Sequence, residues 1–168
     1  MNDTEALRTA IEMEKDSLYK YLEFAKGTKD MSGKNMFIRL SMDEFSHMEL
    51  LYRALENLTE KKGWIKVNID RSEVEKVVPK LKDKDVKIRG TEGLDEVSAL
   101  ETALELEDRG MKYYMEQSKK ADSTEAKEMY GRLRDMEKSH YDLILAELDY
   151  IRNTGFWFGV REFSLEMY

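Results

Sequence analysis

The chain has 168 residues and a net charge of −7, with 38% charged residues, one proline and no cysteine. This length suits one domain with a hydrophobic core, and the lack of cysteine excludes a disulfide scaffold, a zinc finger, a Cys-ligated iron–sulfur cluster and a thiol nucleophile. The acidic balance argues against nucleic-acid binding, and no apolar run reaches the roughly 18 residues that span a bilayer. We therefore expect a soluble, cytoplasmic protein without a signal peptide or a membrane partner.

Four segments have the spacing of apolar residues that is typical of amphipathic helices. They span about residues 2–26, 31–62, 94–120 and 123–153. Asn2 and Glu5 form a capping-box pattern at the start of the first helix. Asp122 and Glu125 form a similar pattern at the start of the fourth, and Gly155 follows its end. Helices of these lengths fit an antiparallel bundle.

The connections between these helices differ greatly in length. Short loops join the first helix to the second and the third to the fourth, so each pair is predicted to form an antiparallel hairpin. The segment 63–93 between the hairpins is predicted to be a long crossover with a short helix around Ser72–Val77, and a disordered linker is the alternative. Packing on the bundle is favoured by its apolar residues, namely Trp64, Ile65, Val67, Val77, Val78 and Ile88. The sequence therefore predicts an all-α, antiparallel four-helix bundle over residues 1–155.

Residues 156–168 form an aromatic tail that includes Phe156, Trp157, Phe158 and Phe163. An exposed aromatic patch of this size is typical of an interaction site. We favour burial of the tail, with packing on its own bundle and a dimer contact as the two alternatives, and we expect a homodimer.

Each apolar stripe is interrupted near its middle by side chains that do not belong in a hydrophobic core. The first and third helices each carry one Glu there, and the second and fourth each carry a Glu-x-x-His pair. These residues are Glu14, Glu44, His47, Glu107, Glu137 and His140. Residues three apart lie close together on a helix, so the Glu and the His of each pair can reach one centre.

An offset of 93 residues superposes the two halves of the chain. It places each of the six interrupting residues on a counterpart of the same type, and it places Tyr21 on Tyr114. The chain is therefore interpreted as two copies of a helical hairpin in a bundle with a pseudo-twofold axis. Each copy contributes one Glu and one Glu-x-x-His.

This set of residues points to two metal ions. Four ionised carboxylates in one apolar core are very unfavourable without counter-charge, and two divalent cations neutralise them. Carboxylates can bridge two metals, and each His can bind one metal through a neutral nitrogen. One Glu from each of two helices with Glu-x-x-His from the other two is typical of di-iron and di-manganese bundles. The ligand set favours iron or manganese, and zinc can bind such sites too.

The sequence resembles the rubrerythrin-like branch of the ferritin-like proteins over about residues 2–153. The resemblance rests on the segments Ala10–Lys15, Glu44–His47, Ala103–Asp108 and Glu137–His140. It implies a ferritin-like four-helix bundle with a bridged dinuclear iron site that reduces hydrogen peroxide or reacts with dioxygen. The metal ligands that it implies are Glu14, Glu44, His47, Glu107, Glu137 and His140, with Glu44 and Glu137 as bridges.

Tyr21 and Tyr114 follow Glu14 and Glu107 by seven residues and so return to the same helix faces. They are interpreted as hydrogen-bond donors that orient the carboxylates, with ordinary core tyrosines as an equal alternative.

Two features depart from the rubrerythrin pattern. Full-length rubrerythrins carry a Cys-ligated rubredoxin domain, whereas this chain has no cysteine, so electrons are expected from a separate, rubredoxin-like donor protein. Rubrerythrins also have an additional Glu three residues after the ligand of the third helix. Gly110 occupies that position here, and Ser17 is its counterpart in the first helix. We therefore expect six protein ligands and more open coordination.

The predicted function is that of an oxidoreductase acting on peroxide or dioxygen, with two iron ions as cofactors and a role in oxidative stress. A metal-binding protein that handles iron without catalytic turnover is one alternative. A structural bundle with a vestigial polar core is another.

Overall fold

The computed structural model describes residues 2–66, 71–81, 94–155 and 157. This part of the chain contains helices and no strand. The helices are α1 (Asp3–Gly27), α2 (Met31–Thr59), α3 (Glu73–Leu81), α4 (Leu94–Lys120) and α5 (Thr124–Thr154). Helix α1 packs along α2, α4 packs along α5, α1 also contacts α4, and α3 contacts α5. The predicted all-α helix bundle is therefore confirmed.

Local hydrogen bonds define where the helices begin. The side chain of Asn2 accepts a hydrogen bond from the Glu5 N–H at 2.9 Å, and the Asn2 N–H donates to the Glu5 carboxylate at 2.9 Å, so the predicted capping box is present. The capping pattern predicted for Asp122 is wrong. Ser123 has the extended backbone of an N-cap, and its hydroxyl accepts from the Ala126 N–H at 3.0 Å.

The C-terminal ends of the helices differ slightly from the predicted ends. Helix α1 includes Gly27, and the N–H of Thr28 still donates to an α1 carbonyl. Helix α2 ends at Thr59, three residues before the predicted end, and the chain turns at Lys61, which has a φ of 59°. Gly155 ends α5 as predicted, with a φ of 76° in the left-handed region that glycine adopts at low cost.

Two apolar clusters fill the bundle, and each long helix runs from one to the other. Helix α1 contributes Ile11 to one cluster and Tyr21 to the other. Helix α2 contributes Leu51 to the cluster of Ile11 and Leu40 to the cluster of Tyr21. Helices α4 and α5 also contribute residues to both clusters. Glu14 lies between the two apolar positions of α1. The residues that interrupt each stripe therefore lie at the level between the two clusters.

The described part of the crossover packs against the bundle. Ile65, Val77 and Val78 are buried, and Trp64 is half-buried. Glu75 of α3 forms a bidentate ion pair with Arg132 of α5, at 2.5 and 2.6 Å. The short helix predicted in this region is α3, and it extends beyond the predicted bounds to Leu81. Val67 and Ile88 lie outside the described residues.

Within the aromatic tail, Trp157 is the residue that the structure describes. Its side chain is buried, and its ring packs edge-on against Phe37 with 5.7 Å between the ring centroids. The indole N–H donates to Glu96 at 2.8 Å. Trp157 therefore packs on its own bundle. Phe156, Phe158 and Phe163 lie outside the described residues, and the expected homodimer and the bounds 1–155 and 156–168 stay predictions.

None of the described helices is both long and apolar enough to cross a membrane.

Candidate metal centre

The six residues that interrupt the apolar stripes meet in the middle of the bundle, and we call them the carboxylate–histidine cluster. Each has at most 3% of its surface exposed. They form two overlapping groups, in each of which one ligand atom per residue lies within 4.8 Å of the others. One group is Glu14, Glu44, His47 and Glu137, and the other is Glu44, Glu107, Glu137 and His140. Glu44 and Glu137 belong to both groups.

Each imidazole turns its Nδ1 atom toward the carboxylates. The Nδ1 atom of His47 lies 3.0 Å from a Glu44 oxygen, 3.1 Å from a Glu137 oxygen and 3.6 Å from a Glu14 oxygen. The Nδ1 atom of His140 lies within 4.0 Å of oxygens from the other group. The two rings are nearly parallel, with 5.5 Å between their centroids. The two halves of the site thus repeat one geometry.

The charges of the cluster perturb its ionisation strongly. Burial, together with the charges of nearby carboxylates, raises the pKa of Glu44 to about 8 and raises the pKa of Glu137 well above its usual range. Burial alone lowers the pKa of a histidine, but the surrounding carboxylates raise the pKa values of His47 and His140 well above the usual range. Without metal, the cluster therefore retains protons that an entering cation has to displace.

Several buried polar atoms of the cluster have no hydrogen-bond partner in the part of the chain that the structure describes. They are Oε1 of Glu44, Oε2 of Glu107, Oε1 of Glu137, Nε2 of His47 and Nδ1 of His140. Buried polar atoms nearly always have a partner, so a group of such atoms in one place calls for an explanation. Carboxylate oxygens and imidazole nitrogens are the ligands that iron, manganese and zinc accept. The residues present therefore fit a pair of such metal ions.

The model of the rubrerythrin family matches residues 5–148, which include the whole carboxylate–histidine cluster. The chain belongs to the rubrerythrin family. Searches of curated proteins and of solved structures found no match to it. The family and the buried cluster together fit a di-iron protein.

Two tyrosines donate hydrogen bonds into the cluster. Tyr21 donates to Oε1 of Glu107, and Tyr114 donates to Oε1 of Glu14. Burial and the neighbouring carboxylates raise the pKa values of both phenols well above the usual range, so both stay protonated donors. In each pair, the other oxygen of the carboxylate faces a histidine. The hydrogen bonds therefore favour the interpretation of these tyrosines as carboxylate-orienting donors over that of ordinary core residues.

Asp43 is a residue of the site that is absent from the predicted set. Its Oδ2 atom lies 3.1 Å from Nε2 of His140, and Ser72 provides a further hydrogen bond to the carboxylate. Burial opposes ionisation here, but these hydrogen bonds and the charge of His140 lower the pKa of Asp43 below its usual range. The sequence carried no distinct signal for Asp43, because the 93-residue repeat is also broken at neighbouring positions such as Met42 and Phe45.

Gly110 lies against the side chain of Glu137. A Cβ atom at this position would be 3.2 Å from Oε2 of Glu137 and 3.3 Å from its Cγ and Cδ. The position of the additional Glu of other rubrerythrins therefore adjoins one of the two shared carboxylates. Its counterpart Ser17 is half-buried on α1.

Proposed function

We propose that this protein reduces hydrogen peroxide or dioxygen at two iron ions, with electrons from an external donor. The observation that carries the proposal is that two four-residue groups share Glu44 and Glu137. Carboxylates that belong to both groups would hold two metal ions close together, and two neighbouring metal ions can act on one small oxidant. Six protein ligands for two ions also leave coordination positions for that oxidant.

Two bound ferrous ions would supply one electron each to the oxidant, and the donor would then replace both electrons. The chain contributes ligands of fixed orientation in dry surroundings. The apolar clusters on both sides keep bulk water away from the carboxylates. Tyr21 and Tyr114 each hold one oxygen of a carboxylate, so that the second oxygen stays directed at the metal position.

The electron donor is proposed to be a separate, rubredoxin-like protein, because this chain has no cysteine to hold a rubredoxin iron. The proposed setting is the cytoplasm, with a role in oxidative stress, and the proposed assembly is a homodimer.

The first test is metal content and reactivity. The protein is loaded anaerobically with ferrous iron and desalted, and its iron is measured before the rate of peroxide consumption with a reduced donor. We expect about two irons per chain, as the two ligand groups predict. His47→Ala and Glu137→Ala should abolish the absorption of the oxidised cluster. Glu49→Gln changes an exposed Glu of α2 and should have no effect.

A second candidate function is iron handling without reduction of peroxide. It is favoured by Gly110, which replaces the additional Glu of other rubrerythrins beside Glu137. Two irons per chain without turnover of peroxide, in a large multi-subunit assembly measured by light scattering, would support this function. A chain that binds no iron at all would contradict both functions.

A further inference from the structure

The two histidines of the cluster differ on the side that faces away from the carboxylates. Nε2 of His140 lies 3.1 Å from Oδ2 of Asp43. Nε2 of His47 is buried and has no hydrogen-bond partner among the described residues. The internal repeat places Met136 where His47 would need an aspartate, and a thioether is only a weak acceptor. The pseudo-twofold symmetry of the site is therefore broken behind its histidines.

This difference affects which nitrogen of each ring can bind a metal. An ionised carboxylate only accepts hydrogen bonds, so Asp43 retains a ring proton of His140 on Nε2, whatever binds at Nδ1. When a cation displaces the other ring proton, the Nδ1 lone pair of His140 faces the carboxylates of Glu44 and Glu107, where that cation would lie. A carboxylate behind a metal-binding histidine also makes the ring a more basic ligand.

His47 has no such carboxylate behind its ring among the described residues. No described residue behind the ring accepts a hydrogen bond from Nε2, although Nδ1 faces the carboxylates as in His140, at 3.0 Å from a Glu44 oxygen. A cation at Nδ1 leaves the ring proton on Nε2, and this buried N–H has no acceptor among the described residues. The missing acceptor weakens metal binding at the position of His47 relative to the position of His140.

Asp43 itself lies on α2, and its carboxylate is supported by the crossover. The Ser72 hydroxyl hydrogen-bonds to Asp43 and also accepts from the Glu75 N–H at 3.3 Å, as the N-cap of α3. The ion pair of Glu75 with Arg132 attaches α3 to α5, which also carries His140.

We propose that Asp43 makes the two metal positions unequal, so that the position of His140 binds its ion first and more tightly and the position of His47 holds the exchangeable ion. Asp43 is a positioning residue, since it acts through His140. The inference rests on the metal site of the proposed function and is independent of its peroxide chemistry.

The test uses Co²⁺ added anaerobically to the full-length apo protein, with bound cobalt followed by visible absorption and by equilibrium dialysis. We expect two ions per chain that bind in separate steps, with dissociation constants about 10- to 100-fold apart, the range over which such carboxylates alter metal affinity. Asp43→Asn keeps the side-chain shape and should weaken the tighter step about 10-fold or more, so that the two steps merge. Asp135→Asn, the same change at an exposed position of α5, should leave both steps unchanged.

Single-histidine variants assign the two steps. His47→Ala should retain the tighter ion, and Asp43→Asn added to it should weaken that ion. His140→Ala should retain the weaker ion, and Asp43→Asn should then have no effect. Ser72→Ala removes one hydrogen bond of Asp43 and should shift the tighter step in the same direction by a smaller factor. Helix content by circular dichroism confirms that each variant is folded.

The outcomes separate this inference from the proposed function. Two ions that bind with equal affinity, or an Asp43→Asn variant that weakens both steps alike, overturn the inference and leave the proposed function intact. Loss of both ions in His47→Ala overturns it as well. A wild-type chain that binds no Co²⁺ and no Fe²⁺ overturns both.

Discussion

Tyr21 on α1 donates its hydrogen bond to Glu107 on α4, although Glu14 on its own helix lies on the same face. Tyr114 on α4 donates to Glu14 in return. The exchange is possible because α1 and α4 are in contact, so each helix orients the carboxylate of the other. The two halves of the repeat therefore depend on each other at the site itself.

Removal of one of these hydroxyls should destabilise the protein. Tyr21→Phe leaves one buried oxygen of Glu107 without its donor, and a buried acceptor without a partner costs about 1–3 kcal/mol. We expect this decrease in the free energy of unfolding of the apo protein, measured by urea denaturation. Tyr19→Phe alters an exposed tyrosine of the same helix and should change the free energy by less than about 0.5 kcal/mol. Equal free energies of unfolding for the two variants would show that the hydrogen bond from Tyr21 to Glu107 does not stabilise the apo protein.

The apo protein should lose stability as the pH rises above neutral. The pKa of Glu44 is about 8 in the folded protein, against 4.5 for an ordinary Glu, so the folded state binds more protons than the unfolded state between these values. The stability that this provides is fully present below pH 4.5 and is lost as the pH rises through about 8. The raised pKa values of His47 and His140 act in the same direction above pH 6.5. Thermal unfolding of chelator-treated protein should therefore give a lower Tm at pH 8 than at pH 6.

Metal binding should show the opposite dependence on pH. A cation displaces the protons of Glu44, His47 and His140, so metal binding releases protons and becomes tighter as the pH rises. The Tm difference between loaded and apo protein should increase over the same pH range, because tighter binding stabilises the folded state by mass action. Titration in buffers of different ionisation enthalpy measures the released protons directly. Metal binding that releases no protons would contradict the raised pKa values.

Gly110→Ala should weaken metal binding. A Gly→Ala change inside a helix usually adds about 0.5–1 kcal/mol of stability. At Gly110, however, the new methyl group would crowd the side chain of Glu137, which belongs to both ligand groups. Gly131→Ala is the matched control, since no atom outside its own helix backbone and chain neighbours lies within 4 Å of the added Cβ. We expect Gly131→Ala to stabilise the protein with unchanged metal content, and Gly110→Ala to lower metal affinity. Identical metal titrations for both variants would exclude a role for Gly110 in positioning Glu137.

The ion pair between Glu75 and Arg132 should stabilise the attachment of α3. It is bidentate and mostly buried, with 10% and 22% of the two side chains exposed. Glu75→Gln should therefore lower the free energy of unfolding by about 1.5–3 kcal/mol, the value of hydrogen bonds to charged groups. Lys138→Gln removes an exposed ion pair with Asp142 and should cost less than about 1 kcal/mol. Comparable urea midpoints for the two variants would mean that the buried pair contributes no more than a surface pair.

The sequence by itself was sufficient to locate the long helices and to identify the six residues of the carboxylate–histidine cluster. Apolar spacing and caps are local properties, so four long helices could be located within a few residues. The 93-residue repeat and the Glu-x-x-His pairs identified all six residues of the cluster, because a charged residue in the middle of an apolar stripe is evident without coordinates. Where the prediction of local structure was wrong, as at Asp122, the choice between adjacent capping residues depended on a backbone angle.

Contacts between helices were decided by the tertiary structure alone. The partner of Tyr21 is Glu107 because of how α1 and α4 pack, and no spacing within one helix carries that information. The support of His140 by Asp43 depends on two side chains 97 residues apart and on where α3 begins. Periodicity determines which face of a helix is buried, whereas the orientation of that face toward its neighbours is set by packing of the whole bundle.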